Sequence, residues 1–352
     1  MKQTGKLNVA LVAGASGIVG SQLINTLLHH EWQVVGLSRQ GSASTDNVTT
    51  VNVDLLNAKQ SAQALKPLSQ VTHIFYSAWL NAANWTEMVE PNVTMLRNLV
   101  SNMERIAPLK TVSLMQGYKV YGAHLGPFKT PARENDPGVP GAEFNAAQLR
   151  WLNDAQQGKA WHWNALRPGV VGSAVPGNVM NLALSLALYA SLCKTEGLPF
   201  RFPGSQQNWH SIIDHTDAAL LAEATLWAAT APEARNQAYN VNNGDIWRWS
   251  ELWPVIAHWF GLECAPPVRL SFQQLFIDYR TTWRDLAERH QLQERDILQL
   301  NNGQFADFVF GWDYDMFGDG SKLRRAGFTH YRATDEMFLS LFARFREARI
   351  IP

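Results

Sequence analysis

The sequence predicts an α/β protein built on a doubly wound parallel sheet, with a smaller helix-rich lobe formed by its second half. Three observations lead there. Apolar, β-branched runs alternate with helix-like segments through the first half; a glycine-spaced loop joins the first strand to the first helix; and past Val171 longer helical stretches replace the alternation. Continuous apolar runs suit strands covered by helices on both faces, and strand–helix alternation with short connections gives right-handed βαβ units.

Taken in order, the first strand lies in "LNVALVAG" and the helix "IVGSQLINTLLHH" follows it. Strands are expected in "WQVVGLSR" and "VTTVNVDL", then a helix-like stretch and a strand in "VTHIFYSAW". The long helix "VEPNVTMLRNLVSNMERI" precedes a strand in "LKTVSLMQG"; the helix "FNAAQLRWLNDAQQ" precedes another in Trp161–Gly172. In the second half helices are expected at Val179–Glu196, Thr216–Ala229, Trp249–Phe260 and Ser271–His290, with one strand in "QAYNVNN".

Bulk properties narrow the function. Lys+Arg and Asp+Glu both number 30, so the net charge is zero and there is no electrostatic case for nucleic acid or an anionic membrane. The only cysteines, Cys193 and Cys264, form no CxxC, which fits a reducing compartment and a cytoplasmic protein. The N-terminus is too short and glycine-broken for a secretory signal. The longest apolar run, Val179–Cys193, falls short of the roughly 20 residues a membrane span needs, so a buried helix is expected. Fourteen tryptophans, mostly in the second half, fit plain core packing or an apolar pocket wall. The histidines show no HExxH or other ligand spacing, so no metal is expected, and GxSxG is absent, which disfavours a serine hydrolase.

"GASGIVG" sets Gly14, Gly17 and Gly20 in a GxxGxxG spacing between the first strand and first helix. Glycines let the backbone close on a pyrophosphate, and the helix start offers free N–H groups and a positive dipole end. A tight turn with a close-packed helix would use the third glycine as well. Ser16, Ile18 and Val19 share this loop and are expected at the cofactor. NAD binders place an acid about 20 residues on; here that place reads Ser38, Arg39, Gln40. An arginine fork suits a 2′-phosphate, so NADP(H) is the expected cofactor. Asp54, followed by Leu55, ends the third strand, where it could accept from the adenine amino group or be an ordinary turn aspartate. The expected division is a Rossmann-type NADP-binding core over 1–172 and mainly a substrate lobe over 173–352, some of whose strands and helices return to the core.

The glycine spacing favours the short-chain dehydrogenase/reductase superfamily. Within it, "THIFYSAW", "NVTMLRNLV", "MQGYKVYG…GPF", "LRPGVVG", "NLALSLALYASLCKTEG", "NVNNGD" with its tryptophan-rich helix, and the ending "ARIIP" resemble the progesterone 5β-reductase / iridoid synthase-like (PRISE) group over nearly the whole chain. The resemblance implies NADPH-dependent reduction of the C=C bond of enones, a small-molecule enone or related carbonyl substrate, and a monomer or homodimer. By the residues alone, Lys119 is either a cation at the end of a strand or a solvated loop charge. The resemblance implies the first, a lysine that stabilises the oxyanion growing on the substrate carbonyl.

The family also uses a tyrosine early in the next helix. The matching stretch here, Ala142–Arg150, supplies Phe144 and Asn145 and no tyrosine, and no YxxxK occurs there. Three readings stay open. Asn145, Tyr118 or Tyr121 could supply the missing donor to an enone carbonyl; the reaction could have changed to another carbonyl reduction or a nucleotide-sugar-like conversion; or the protein could bind NADP(H) without turnover as a sensor or partner-binding module. Ser77, Ala78 and Trp79 after the fourth strand, Gln116 after the fifth, and Pro168 and Val170 after the sixth are further expected cofactor contacts. Met180, Trp209 and Phe310 are candidates for the pocket lining. Glu134 and Asp136 read as solvated charge.

Overall fold

The computed structural model describes residues 8–39 and 47–352; Gln40 lies outside them. Six parallel strands, β1 (Val9–Ala13), β2 (Gln33–Ser38), β3 (Val48–Asn52), β4 (His73–Tyr76), β5 (Thr111–Met115) and β6 (His162–Pro168), join a seventh, β7 (Gln237–Val241), in one sheet. Their order is β3-β2-β1-β4-β5-β6-β7, so the winding reverses between β1 and β4. That reversal opens a crevice at the carboxyl ends of the strands, which positions the site.

The pleat explains why β1 reads as an unbroken apolar run. Ala10 and Val12 pack with Leu23, Leu27 and Phe75 on one face, while Val9, Leu11 and Ala13 pack with Ile74, Leu96 and Leu99 on the other. Helices α1 (Ile18–His29) and α6 (Ala218–Thr230) cover the first face; α2 (Ala58–Leu65), α3 (Val89–Ile106) and α4 (Phe144–Gln156) cover the second. Thus α6 and β7, from the second half of the sequence, return to the sheet.

Helix α5 (Leu182–Glu196) is buried from Leu182 to Cys193. The Asn181 side chain caps its start and Gly197, at φ 65°, closes its end. It starts three residues later than the sequence implied, because Asn181 takes up the cap. Among the described residues no helix is long and apolar enough to cross a membrane. Around α5 lies a second core, where Trp249 and Trp253 of α7 (Trp249–Phe260) pack with Phe202, Phe310 and Trp283. The expected helix Ser271–His290 is two, Phe272–Asp278 and Arg280–Arg289, separated by Tyr279 at φ −96°, ψ 16°. Both cysteines are free, Cys193 buried and Cys264 exposed.

Candidate active site

A cleft of about 830 Å³ opens at the carboxyl ends of β1, β2, β4, β5 and β6. Gly14, Ser16, Gly17, Ile18, Val19 and Gly20 border it from the β1–α1 turn, and Ser38 and Arg39 from the end of β2. Leu55, then Ser77, Ala78 and Trp79 after β4, Gln116 and Lys119 after β5, Asn145, and Pro168 at the end of β6 with Val170 beyond it complete the set that the structure brings together. Asp54 does not border the cleft. Its Oδ1 accepts from Leu56 N at 3.0 Å, the work of a turn aspartate.

The three loop glycines differ in what keeps them bare. Gly14 sits at φ 86°, and a Cβ there would lie 2.9 Å from Ala78 N; a Cβ on Gly20 would lie 2.1 Å from Gly14 O. Both are required by packing. A Cβ on Gly17 would meet only Gly14 O, at 3.4 Å. The protein leaves room there for a methyl group, and that room faces the cleft. Gly17 also starts α1 with no side-chain cap, and no acid stands in the first turn. The amides and positive dipole end of α1 are therefore open to an anion, as a pyrophosphate requires. The residues present fit a dinucleotide.

Lys119 lies on a 3₁₀ turn, Tyr118–Tyr121, closed by Gly122 at φ 87°. The other three residues of that turn are buried, and two of them anchor it. Tyr118 OH donates to Asp214 Oδ2 at 2.7 Å, and Tyr121 OH donates to Asn240 Oδ1 at 2.7 Å while accepting from Arg167 at 2.9 Å. Anchored on both sides, the turn presents Lys119 to the cleft. Its Nζ stands 4.6 Å from the Trp85 ring centroid and 5.8 Å from that of Trp79. Among the described residues Nζ has no hydrogen bond or ion pair. Burial pulls the ammonium pKa below the ordinary lysine value, and the charge of Glu143 opposes that shift. Tyr121 is thus a buried anchor rather than a cleft donor, and Tyr118, which does border the cleft, has its hydroxyl spent on Asp214.

Asn145 is 4% exposed at the start of α4. Its side-chain amide Nδ2 donates to Glu143 Oε1 at 2.8 Å, and its backbone carbonyl oxygen accepts from Gln116 Nε2 at 2.7 Å. Gln116 Oε1 in turn accepts from Arg167 Nε at 3.0 Å, which ties β5, β6 and α4 together below the cleft. Glu134 belongs to this support and not to solvent, since its Oε1 accepts from Asn240 N at 2.8 Å. Asp136 pairs with Lys129 at 2.7 Å. Among the described residues no cluster of metal-ligating side chains occurs.

The description "PRISE-like Rossmann-fold domain" matches residues 10–352. The chain belongs to this PRISE-like family. A 3-oxo-Delta(4,5)-steroid 5-beta-reductase of Arabidopsis thaliana is 31% identical over 366 residues, covering 98% of this chain and 93% of that protein. An (S)-8-oxocitronellyl enol synthase of Nepeta racemosa is 32% identical over 369 residues, with 98% and 93% covered. Among solved structures, the UDP-glucose 4-epimerase of Thermus thermophilus in complex with NAD superposes with a TM-score of 0.67 at 20% identity, covering 97% of this chain and 99% of that one. The Bordetella bronchiseptica enzyme WbmG, in complex with NAD, gives 0.69 at 14% identity, with 100% and 98% covered. At such identities the structures speak for the fold, while the relatives make this PRISE-like chain an oxidoreductase of the short-chain dehydrogenase/reductase superfamily.

Apart from Phe144 and Met180, the apolar wall of the PRISE-like cleft comes from residues that carried no expectation. Phe144, Gln148, Phe305, Phe308, Trp312 and Met316 line it beside Met180. Phe305, Phe308 and Trp312 follow the spacing of one helical face, a signal available in the sequence. Trp209 and Phe310 do not reach the cleft; both pack against Phe202. His124, also on the lining, packs edge-on against Trp85 with ring centroids 4.6 Å apart.

Proposed function

We propose that this chain is an NADPH-dependent reductase of the C=C bond of α,β-unsaturated carbonyls, with Lys119 at the substrate carbonyl oxygen. One observation carries the reading: a lysine with no ion pair among the described residues follows β5 and borders the same cleft as the bare Gly17 cradle and an apolar wall. The names of the two relatives, a steroid 5-beta-reductase and an oxocitronellyl enol synthase, support the substrate class.

When bound, the dinucleotide supplies a hydride. The chain's residues do the rest. The α1 amides would hold the pyrophosphate, and Arg39, exposed at the cleft edge with no acid beside it among the described residues, would take the 2′-phosphate. Phe305, Phe308 and Trp312 exclude water, which strengthens the field of the Lys119 charge at the carbonyl oxygen. As charge develops on that oxygen, the ammonium stabilises it more than it stabilises the ground state.

The test is loss of dihydronicotinamide absorbance with a panel of cyclic enones, unsaturated aldehydes and steroid enones. The expected result is turnover by the wild type and a fall of about 100-fold in Lys119→Met. An unchanged rate in Lys119→Met would remove the lysine from the chemistry. A second reading, dinucleotide binding with altered or no catalysis, is favoured by one observation: the hydroxyls of Tyr118 and Tyr121 and an amide N–H of Asn145 all serve partners in the protein. Tight NADPH binding without turnover of any enone would establish it.

A further inference from the structure

A carbonyl oxygen that becomes an oxyanion is best held by two donors, and Lys119 is one. The polar side chains around it are nearly all engaged elsewhere. Tyr118 donates to Asp214, Gln116 Nε2 to the Asn145 carbonyl, Gln148 Nε2 to the Asn92 carbonyl and Asn145 Nδ2 to Glu143. Among the described residues, His124 borders the cleft and makes no hydrogen bond through either ring nitrogen.

Its position relative to Lys119 is set by one indole. The Lys119 ammonium lies 4.6 Å from the Trp85 ring centroid, and the His124 ring packs against the same indole at 4.6 Å with 67° between planes. Burial, and then the neighbouring Lys119 charge, push the His124 pKa down to about 4. The imidazole is therefore neutral at pH 7 and carries one N–H. Its Nδ1 is sealed in the protein without a partner. A sealed N–H is more costly than a sealed lone pair, which puts the proton on Nε2.

We propose that His124 is a second catalytic residue, donating from Nε2 to the substrate oxygen that Lys119 also contacts. The proposal rests on the enone-reductase reading above. Hydride adds at the β carbon, the C=C pair moves into the enolate, and the former carbonyl oxygen carries the charge. His124 and Lys119 each hold a hydrogen bond to that oxygen without giving up a proton, and the α carbon then takes its proton from water.

The experiment uses the full chain and three measurements on wild type, His124→Ala and His124→Gln. These are enone turnover with NADPH, NADPH affinity, and affinity for a substituted phenol, a stable mimic of the enolate oxygen. His124→Ala is expected to lower kcat/KM by about 100-fold and to weaken phenol binding, with NADPH affinity unchanged. His124→Gln, which keeps an N–H donor, recovers most of both. Wild-type turnover and phenol affinity in His124→Ala would overturn the proposal. If wild type reduces no enone but binds phenol, and His124→Ala loses that binding, the reductase reading fails and the paired oxyanion donors stand. If wild type does neither, both fall.

Discussion

Glu143 Oε1 accepts from both the backbone N–H and the side-chain amide of Asn145, at 3.0 and 2.8 Å, while Oε2 accepts from Ala146 N at 2.7 Å. One carboxylate therefore caps α4, orients the Asn145 side chain, and places a negative charge in the field of Lys119. Glu143→Ala should cost about 1–2 kcal/mol in urea unfolding through the lost cap. It should also move the alkaline limb of activity to lower pH. Removing the anion disfavours the ammonium, so the Lys119 pKa, already below 10.5, falls further. An unmoved alkaline limb would show that Glu143 does not act on Lys119.

The glycine loop separates packing from ligand binding. Gly20→Ala drives a Cβ into Gly14 O and should destabilise the fold by about 1–3 kcal/mol. Gly17→Ala has room in the protein and should cost under about 1 kcal/mol, yet abolish NADPH binding in a fluorescence titration. Equal dinucleotide affinity in Gly17→Ala and wild type would refute the cradle.

Arg39 is the proposed selector of NADPH over NADH. Arg39→Ala should weaken NADPH binding by about 10- to 100-fold, the worth of a charge-assisted bidentate contact, and leave NADH unchanged. Parallel loss for both would assign Arg39 to the fold or to the pyrophosphate instead.

Behind the Lys119 turn, Asp214 accepts from Tyr118 OH, Gly318 N and Asn242 Nδ2 on one oxygen, while Oδ1 is buried without a partner where a Cβ on Gly169 would lie 2.2 Å away. Burial pushes this carboxyl from 3.8 up to about 7. A folded-state value above the unfolded one means stability that is full below about pH 3.8 and is lost as pH rises through about 7. Asp214→Asn removes that dependence. Its stability relative to wild type should therefore improve between about pH 4 and pH 8, by a few kcal/mol at most. A gap that stays constant with pH would refute a raised carboxyl.

The sheet was legible because both its faces are covered. Leu11, Val12 and Ile74 are fully buried, so β1 and β4 appear as plain apolar runs. The cleft was legible wherever it follows a strand end, from Gly14 to Val170. Tyr121 was misplaced because a sequence does not say which side of a 3₁₀ turn a ring takes. The partners that hold it, Asn240 and Arg167, come from β7 and β6. The break at Tyr279 carries no proline or glycine to announce it. His124 gave no pattern at all. Its meaning comes from Trp85 and Lys119, which meet it only in the folded chain.

The cleft's two ends are encoded in different parts of the gene. The cradle for the dinucleotide hangs on strand ends from Gly14 to Val170, locked into the sheet. Most of the apolar wall hangs on Met180 and on the short helix Gln304–Phe310 with Trp312 and Met316 beyond it, none of which belongs to the sheet, with Phe144 and Gln148 of α4 completing it. Under the proposed function, substitutions in that late stretch would change which molecule the cleft admits and leave the dinucleotide cradle untouched.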